Sequence, residues 1–288
     1  MNIETGHFIR IQIPARARTL WLSPAWAVVC GIVASNAFTW NGRDVLIAIL
    51  AVLLADGAWA TVWWGLVEPD WLELLARWKT IEVAEPRQAW PLARPGSPAD
   101  RTQRWFARFN AWWTFEVWPN AGTPILSALV SIVLGVVVSA VIGWQALTLS
   151  LGALALTQIG LLLELTRGRA PHLIHGFSNV GLAWLLGHAA FGQLSVLSLG
   201  VAILFAVAYG SSLNLAHGGQ SARGWLLPQL IVVVLLVLLQ QPIAAFALIA
   251  VLATQTLLST VFNGLSFARA AQFWLMAAML IAAMAIRS

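Results

Sequence analysis

Nine runs of mainly apolar residues alternate with polar stretches along the chain. The runs are Leu20–Trp40, Val45–Val67, Thr123–Gly143, Gln145–Leu165, Leu173–Phe191, Leu194–Ser211, Trp225–Gln240, Ile243–Phe262 and Ala271–Ile286. Each approaches the ~20 residues that a helix needs to cross the hydrocarbon core of a bilayer. Helices satisfy every backbone polar group internally, as that environment requires. The pattern predicts an all-α polytopic membrane helix bundle of about nine transmembrane helices, forming a single transmembrane domain over residues 1–288. For the short seventh run and the eighth, the alternative is a hairpin that does not cross fully.

The composition supports a lipid environment. Hydrophobic residues make up 60% of the chain and charged residues only 9%, and the mean hydropathy is +0.81. A soluble domain is about 25% charged, so water alone could not solvate such a surface. The net charge is +5, but the basic residues lie between the apolar runs. This placement predicts contact with anionic lipid head groups and no binding of nucleic acid. A single cysteine, Cys30, excludes an internal disulfide and a cysteine-based zinc site.

The basic residues crowd at alternate ends of the apolar runs. One side carries fourteen of the sixteen, namely Arg10, Arg16, Arg18, Arg77, Lys79, Arg87, Arg94, Arg101, Arg104, Arg108, Arg167, Arg169, Arg223 and Arg269. The other side carries Arg43 and Arg287. Lysine and arginine concentrate on the cytoplasmic side of membrane proteins. The distribution therefore predicts a multi-pass protein of the cell inner membrane with a cytoplasmic N-terminus and an external C-terminus.

Residues 68–122 form the one long polar stretch, predicted to be a cytoplasmic loop with interfacial amphipathic helices. At the beginning of this stretch, acidic residues come first and basic residues follow. This order suits a short helix, because acids are favourable at a helix N-terminus and bases at its C-terminus. Further on, Arg101, Arg104 and Arg108 share one helical face, and Trp105, Phe109 and Trp112 share another. Such a helix places rings in the head-group layer and guanidinium groups on phosphate. It is either a simple anchor or a lid or docking surface over a cytoplasmic cavity.

Ionisable residues inside the apolar runs are costly and therefore informative. Asp56 lies near the middle of the second run, where it either donates a structural hydrogen bond or serves as a proton or ligand site. His188 lies inside the fifth run. It is either a histidine bonded to a neighbouring helix or an axial ligand to the magnesium of a bacteriochlorophyll-type pigment. His172 and His175 could share a helical face, and we expect them to lie at the interface without forming a metal site.

The overall layout resembles the UbiA superfamily of intramembrane prenyltransferases. Arg18 and Pro24 stand at the entry to the first run as in that family, and residues 165–171 resemble its connection between the fourth and fifth helices. The resemblance implies a UbiA-like fold of nine helices around a central cavity. It also implies two acidic motifs, one after the second helix and one after the sixth. Their carboxylates would hold magnesium, and the magnesium would bind the diphosphate of an isoprenoid donor. Here the first region offers only Glu68 and Asp70, and the second, residues 211–223, contains no acid.

Three functions follow as hypotheses. The favoured one is a degenerate prenyltransferase-like protein that binds an isoprenoid, quinone or pigment tail in its cavity. The second is an active prenyltransferase with a non-standard site, in which Mg²⁺ and diphosphate are held by Asp56, Glu68, Asp70, Asn214, His217 and Arg223. The third is a non-enzymatic subunit or assembly factor of a larger membrane complex. Whether the protein is an enzyme is left open, as is the identity of any cofactor.

Overall fold

The computed structural model describes residues 23–67, 69–81, 94–167, 172–217 and 224–287. All regular structure in these ranges is helical, which confirms the all-α prediction. The helices are α1 (Pro24–Ser35), α2 (Gly42–Val52, Leu53–Trp59 and Ala60–Val67), α3 (Trp71–Trp78), α4 (Pro98–Ile142), α5 (Trp144–Arg167), α6 (His172–Gly176, Phe177–Leu182 and Ala183–Ala189), α7 (Val196–Ala216), α8 (Leu226–Leu238), α9 (Pro242–Val261) and α10 (Gly264–Ile286). The short α3 has no counterpart among the apolar runs. The other nine described helices correspond to the nine runs.

The chain is a polytopic membrane protein by helix length and hydropathy. Six described helices are long and apolar enough to cross a bilayer: α2, α4, α5, α7, α9 and α10. Their outer faces expose large apolar side chains such as Val141, Phe246 and Leu257, which suits lipid and not water. That α1, α6 and α8 also cross stays a prediction.

Two of the predicted transmembrane helices, α1 and α8, are shorter than a full crossing requires. Helix α1 has 12 residues and begins at Pro24, a favoured first position. It ends at Ser35, before the predicted end of the run, because the C-cap residue Asn36 is left-handed with a φ of 54°. Helix α8 has 13 residues. At 1.5 Å per residue these helices span roughly 20 Å, against about 30 Å for the hydrocarbon core. Helix α9, with 20 residues, is long enough to cross, so only the short α8 favours the hairpin alternative, which stays a prediction.

Glycines bring the helices into backbone contact. A Cβ atom on Gly31 of α1 would lie 2.0 Å from the carbonyl oxygen of Trp184 in α6, and one on Gly187 would lie 2.1 Å from that of Val28. Without side chains at these positions, the two backbones can approach closely, as at many membrane helix interfaces. A glycine also allows close backbone contact between α2 and α4, because a Cβ on Gly65 would lie 2.4 Å from the carbonyl oxygen of Pro124.

Helix α4 combines the predicted amphipathic helix with the third apolar run. It spans 45 residues, or about 68 Å, roughly twice the hydrocarbon thickness. Pro119 lacks the backbone N–H that a helix interior needs, but it follows a π-helical stretch, Trp113–Val117, and the helix continues past it. A π-turn absorbs the irregularity that a residue without an N–H introduces.

Helix α3 packs against the beginning of α4 through aromatic rings. The Trp112 indole donates a hydrogen bond of 2.7 Å to the carbonyl oxygen of Leu74. Trp78 contacts Trp112 edge-on, with ring centroids 5.5 Å apart. Arg77 forms ion pairs with Glu73 and Glu116. The short helix expected after residue 68 is therefore present and is fixed to α4.

Candidate functional site

The strongest concentration of chemically versatile side chains lies where α6 begins and α7 ends. We call it the histidine cluster. It consists of three imidazoles and three further side chains packed around them: His172, His175 and His217, with Trp63, Asn179 and Tyr209. Three helices contribute to it, because Trp63 belongs to α2 while the others belong to α6 or to α7 and its C-cap.

The outer part of the cluster is a pair of stacked imidazoles. The rings of His172 and His217 have centroids 4.6 Å apart and planes inclined at 22°. His217 follows the last residue of α7, and its Nδ1 donates a hydrogen bond of 2.8 Å to the carbonyl oxygen of Leu213. This bond satisfies a carbonyl group at the end of the helix. The stacked pair therefore ties the beginning of α6 to the end of α7.

The inner part of the cluster is built around His175. Asn179 Nδ2 donates a hydrogen bond of 2.7 Å to His175 Nε2. An amide nitrogen can only donate, so this imidazole is neutral and carries its proton on Nδ1. The Trp63 ring lies edge-on to His175 at 5.0 Å, and the Tyr209 ring lies at 6.4 Å. Trp63 and Tyr209 are buried, so the ring of His175 sits in largely apolar surroundings.

Close helix packing positions these rings. A Cβ atom on Gly176 would lie 2.3 Å from the carbonyl oxygen of Ala206, and one on Gly210 would lie 2.8 Å from that of His172. Helices α6 and α7 therefore touch through their backbones within the cluster. On α5, Gly160 leaves room for the Trp63 ring, because a Cβ there would lie 2.9 Å from its Cη2 atom. Asn179 lies in the π-helical stretch Phe177–Leu182 of α6, a type of irregularity that is frequent at functional sites.

Asp56, the mid-run acid, does not lie in this cluster. It is 5% exposed and lies in the other π-helical stretch of the core, Leu53–Trp59 of α2. Eleven residues separate it from Val67, the last residue of α2, which is about 17 Å along a helix. Asp56 therefore lies about three helical turns from the end of α2, whereas Asp70 follows that end.

Asp70 has a structural role at the beginning of α3. It is the N-cap residue, and its side chain accepts a hydrogen bond of 3.0 Å from the backbone N–H of Glu73. Its carboxylate is exposed and close enough to Glu164 of α5 for the two charges to interact. Asn214 lies near the end of α7, one turn before His217, which donates its backbone N–H to the Asn214 carbonyl oxygen. The remaining two candidates, Glu68 and Arg223, lie outside the described residues.

His188, the predicted pigment ligand, is engaged at both ring nitrogens. Its Nε2 donates a hydrogen bond of 3.0 Å to the carbonyl oxygen of Gln193. Its Nδ1 accepts one of 3.2 Å from Ser198 Oγ, which in turn accepts one of 2.9 Å from the Trp184 indole. This chain fixes the turn between α6 and α7. Ligation of a pigment magnesium would break one of these bonds, so the pigment hypothesis stays an untested prediction.

The described residues contain no group of three or more His, Cys, Asp or Glu side chains arranged to hold a metal ion. The stacked geometry of His172 and His217 explains part of this, because parallel rings do not direct their nitrogens at a common point. The sequence predicted that His172 and His175 could share a helical face, but it did not connect them with His217. It missed Trp63, Asn179 and Tyr209, since no sequence spacing connects α2, α6 and α7.

Comparisons of the chain with protein-family models, with curated proteins and with solved structures gave no match.

Proposed function

We propose that the protein is a UbiA-like membrane protein that binds an isoprenoid lipid with a small polar head group, of the quinone type, and does not transfer the prenyl chain. The observation that carries this proposal is the histidine cluster. It combines hydrogen-bonding imidazole and amide groups with flat aromatic rings at one end of a lipid-embedded bundle. Ligand sites of this kind are mainly apolar and aromatic, with a few polar groups that orient the ligand.

The chemistry of the cluster suits a carbonyl-bearing ring. A quinone oxygen accepts hydrogen bonds, and the Nδ1–H of the neutral His175 is a donor for it. The ring of a quinone can also pack against the imidazole of His217, which is exposed at the end of α7. The isoprenoid tail would then extend along the apolar helix faces that border the cluster, where Leu162 and Leu173 are exposed.

The same cluster is a poor site for prenyl transfer. Magnesium prefers oxygen ligands, usually carboxylates, whereas the histidine cluster contains three imidazoles and no carboxylate. Asp70 caps α3, and Asp56 lies about three helical turns from the end of α2. An active prenyltransferase with Mg²⁺ and diphosphate would require Glu68 and Arg223 to supply most of the site.

Saturable quenching of tryptophan fluorescence by decylubiquinone tests the proposal. The purified protein in lipid nanodiscs is titrated with the quinone, which quenches nearby indoles. Trp63 is the reporter because its ring contacts His175. We expect a saturable component that the Trp63→Phe variant loses. The matched control is Trp40→Phe, because Trp40 is 89% exposed in the connection before α2, and that variant should retain the component.

The result that overturns the proposal is quenching that rises linearly with quinone in the unaltered protein and in both variants, as expected from partition into lipid alone. Turnover of geranylgeranyl diphosphate in the presence of Mg²⁺ would also overturn the proposal and would support the active prenyltransferase instead.

A membrane-complex subunit is the second candidate, and exposed aromatic residues in the first half of α4 favour it. Trp105, Phe106, Phe115 and Trp118 are all about half exposed or more. Aromatic residues of this kind are enriched at protein interfaces. Purification in mild detergent distinguishes the two, because a subunit should retain defined partner chains.

A further inference from the structure

A second polar site lies on the other side of α7, away from the histidine cluster. It is a small cavity of about 10 Å³ between α7, α8, α9 and α10. Its polar lining consists of Ser212, Trp225, Gln229, Gln255 and Gln272, and the rest of the lining is alanine and leucine. Each of the five polar side chains is at most 9% exposed. Five buried polar residues within an apolar bundle are costly unless they are hydrogen-bonded.

Two of the glutamines satisfy each other. Gln229 Nε2 donates a hydrogen bond of 3.0 Å to Gln255 Oε1, and Gln255 Nε2 donates one of 3.3 Å to Gln229 Oε1. Ser212 Oγ donates its proton to the carbonyl oxygen of Tyr209 at 2.7 Å, so its lone pairs can only accept. The lining therefore presents acceptor lone pairs from α7 and α9.

Trp225 supplies the donor. Its side chain is 4% exposed, and its indole Nε1–H has no hydrogen-bond partner among the described residues. A buried N–H group without a partner destabilises a fold, and such groups are rare in native proteins. An indole nitrogen can only donate, so whatever satisfies it must be an acceptor that fits within the cavity.

We infer that the cavity binds one water molecule. The water oxygen accepts from Trp225 Nε1–H, and its two protons are available to acceptors such as Ser212 Oγ and Gln255 Oε1. A cavity of this volume is close to the minimum for one water, and a site of this kind needs two to four polar partners. No lipid head group fits in it. The water joins α7 and the N-cap of α8 to the glutamine pair of α8 and α9, and this role is independent of the proposed quinone site.

Nuclear magnetic resonance on protein labelled at the indole nitrogens tests the inference. Trp225→Phe identifies the Trp225 signal. We expect a cross-peak between the Trp225 indole proton and water with a long residence time. Trp112 is the internal control, because it is also buried but donates directly to the Leu74 carbonyl oxygen, and it should show none. Absence of the water cross-peak at Trp225 overturns the inference.

An isosteric replacement gives an independent result. Benzothienylalanine at position 225 replaces the indole N–H by sulfur with almost no change of shape. If water is bound, loss of this hydrogen bond should raise the unfolding constant in a dodecyl sulfate titration about two- to tenfold. If the N–H is unsatisfied, its removal should leave the constant unchanged or lower it, and that outcome refutes the water site.

Discussion

The indole ring of Trp63 lies edge-on to the imidazole of His175, with ring centroids 5.0 Å apart and planes inclined at 79°. This geometry places the positive edge of one ring against the negative face of the other, which is a favourable arrangement. The contact joins the end of α2 to the beginning of α6. The histidine cluster is therefore held together by side chains from three helices and not by one loop.

The hydrogen bond between His175 and Asn179 allows a first prediction. His175→Phe should keep the contact with Trp63 but leave the buried Asn179 amide without its partner, at a cost of about 1–3 kcal/mol. Adding Asn179→Leu should recover most of that loss, because replacing both polar partners by apolar groups is nearly neutral. Unfolding in dodecyl sulfate measures both steps. Equal stability of the single and double variants would show that the bond contributes nothing.

A second prediction concerns the contact between α1 and α6. Gly187→Ala places a methyl group against the Val28 carbonyl oxygen, which the backbones can relieve only by moving apart. We expect a loss of about 1–3 kcal/mol, as for other overpacked sites. The matched control is Gly200→Ala in α7, where a Cβ meets nothing within 4 Å. That variant should be stabilised by about 0.5–1 kcal/mol through helix propensity, and a loss there as large as at Gly187 would contradict the packing argument.

A third prediction is a pH dependence at the beginning of α4. Hydrogen bonds from the Arg104 guanidinium and from the Gly96 N–H, in that order, lower the pKa of Asp100 below its usual value. A lowered pKa means that the ionised carboxylate stabilises the first turn above its normal pKa. This contribution is lost as the pH falls through the lowered value.

Amide exchange of residues 99–104, corrected for intrinsic rates, measures the effect. It should accelerate below about pH 4 in the unaltered protein, since an unperturbed Asp titrates there. Asp100→Asn should exchange faster at neutral pH and show little further change on acidification. Identical pH profiles for the two proteins would contradict the assignment.

A fourth prediction tests the orientation. The only cysteine, Cys30, is buried, so it gives little background when new cysteines are labelled. With an impermeant maleimide added to intact cells, Trp40→Cys and Gln240→Cys should be modified, because both positions are exposed and predicted to lie outside. Thr80→Cys, also exposed, should react only after lysis. Labelling of Thr80→Cys in intact cells would show that this position lies outside, opposite to the predicted orientation.

Helix positions were predictable from the sequence because membrane helices must be long and apolar. The nine runs correspond to nine described helices, and errors lie at their ends. Asn36 stops α1 by adopting a left-handed conformation, and the π-helical stretch before Pro119 lets α4 continue. Both depend on local backbone geometry that apolar patterning does not encode.

The candidate site was less predictable, because it depends on contacts between distant helices. His217 could be identified as a polar residue after an apolar run, but its stacking partner His172 lies 45 positions earlier. Asp70 was a candidate metal ligand in the sequence, and its role as the N-cap of α3 became visible only in the structure. The tight approach of α6 and α7 at Gly176 and Gly210 brings the imidazoles together, and glycine in an apolar run does not reveal its neighbour.

The glycine-to-backbone contact between α1 and α6 also bears on how the chain is made. Gly31 leaves the ribosome about 150 residues before Gly187, which at roughly 5–20 residues per second is an interval on the order of ten to thirty seconds. During that time the short α1 lacks the surface that it will finally occupy. The insertion machinery or a neighbouring helix must shelter it, so biogenesis of this protein should be unusually sensitive to the speed of translation between these two glycines.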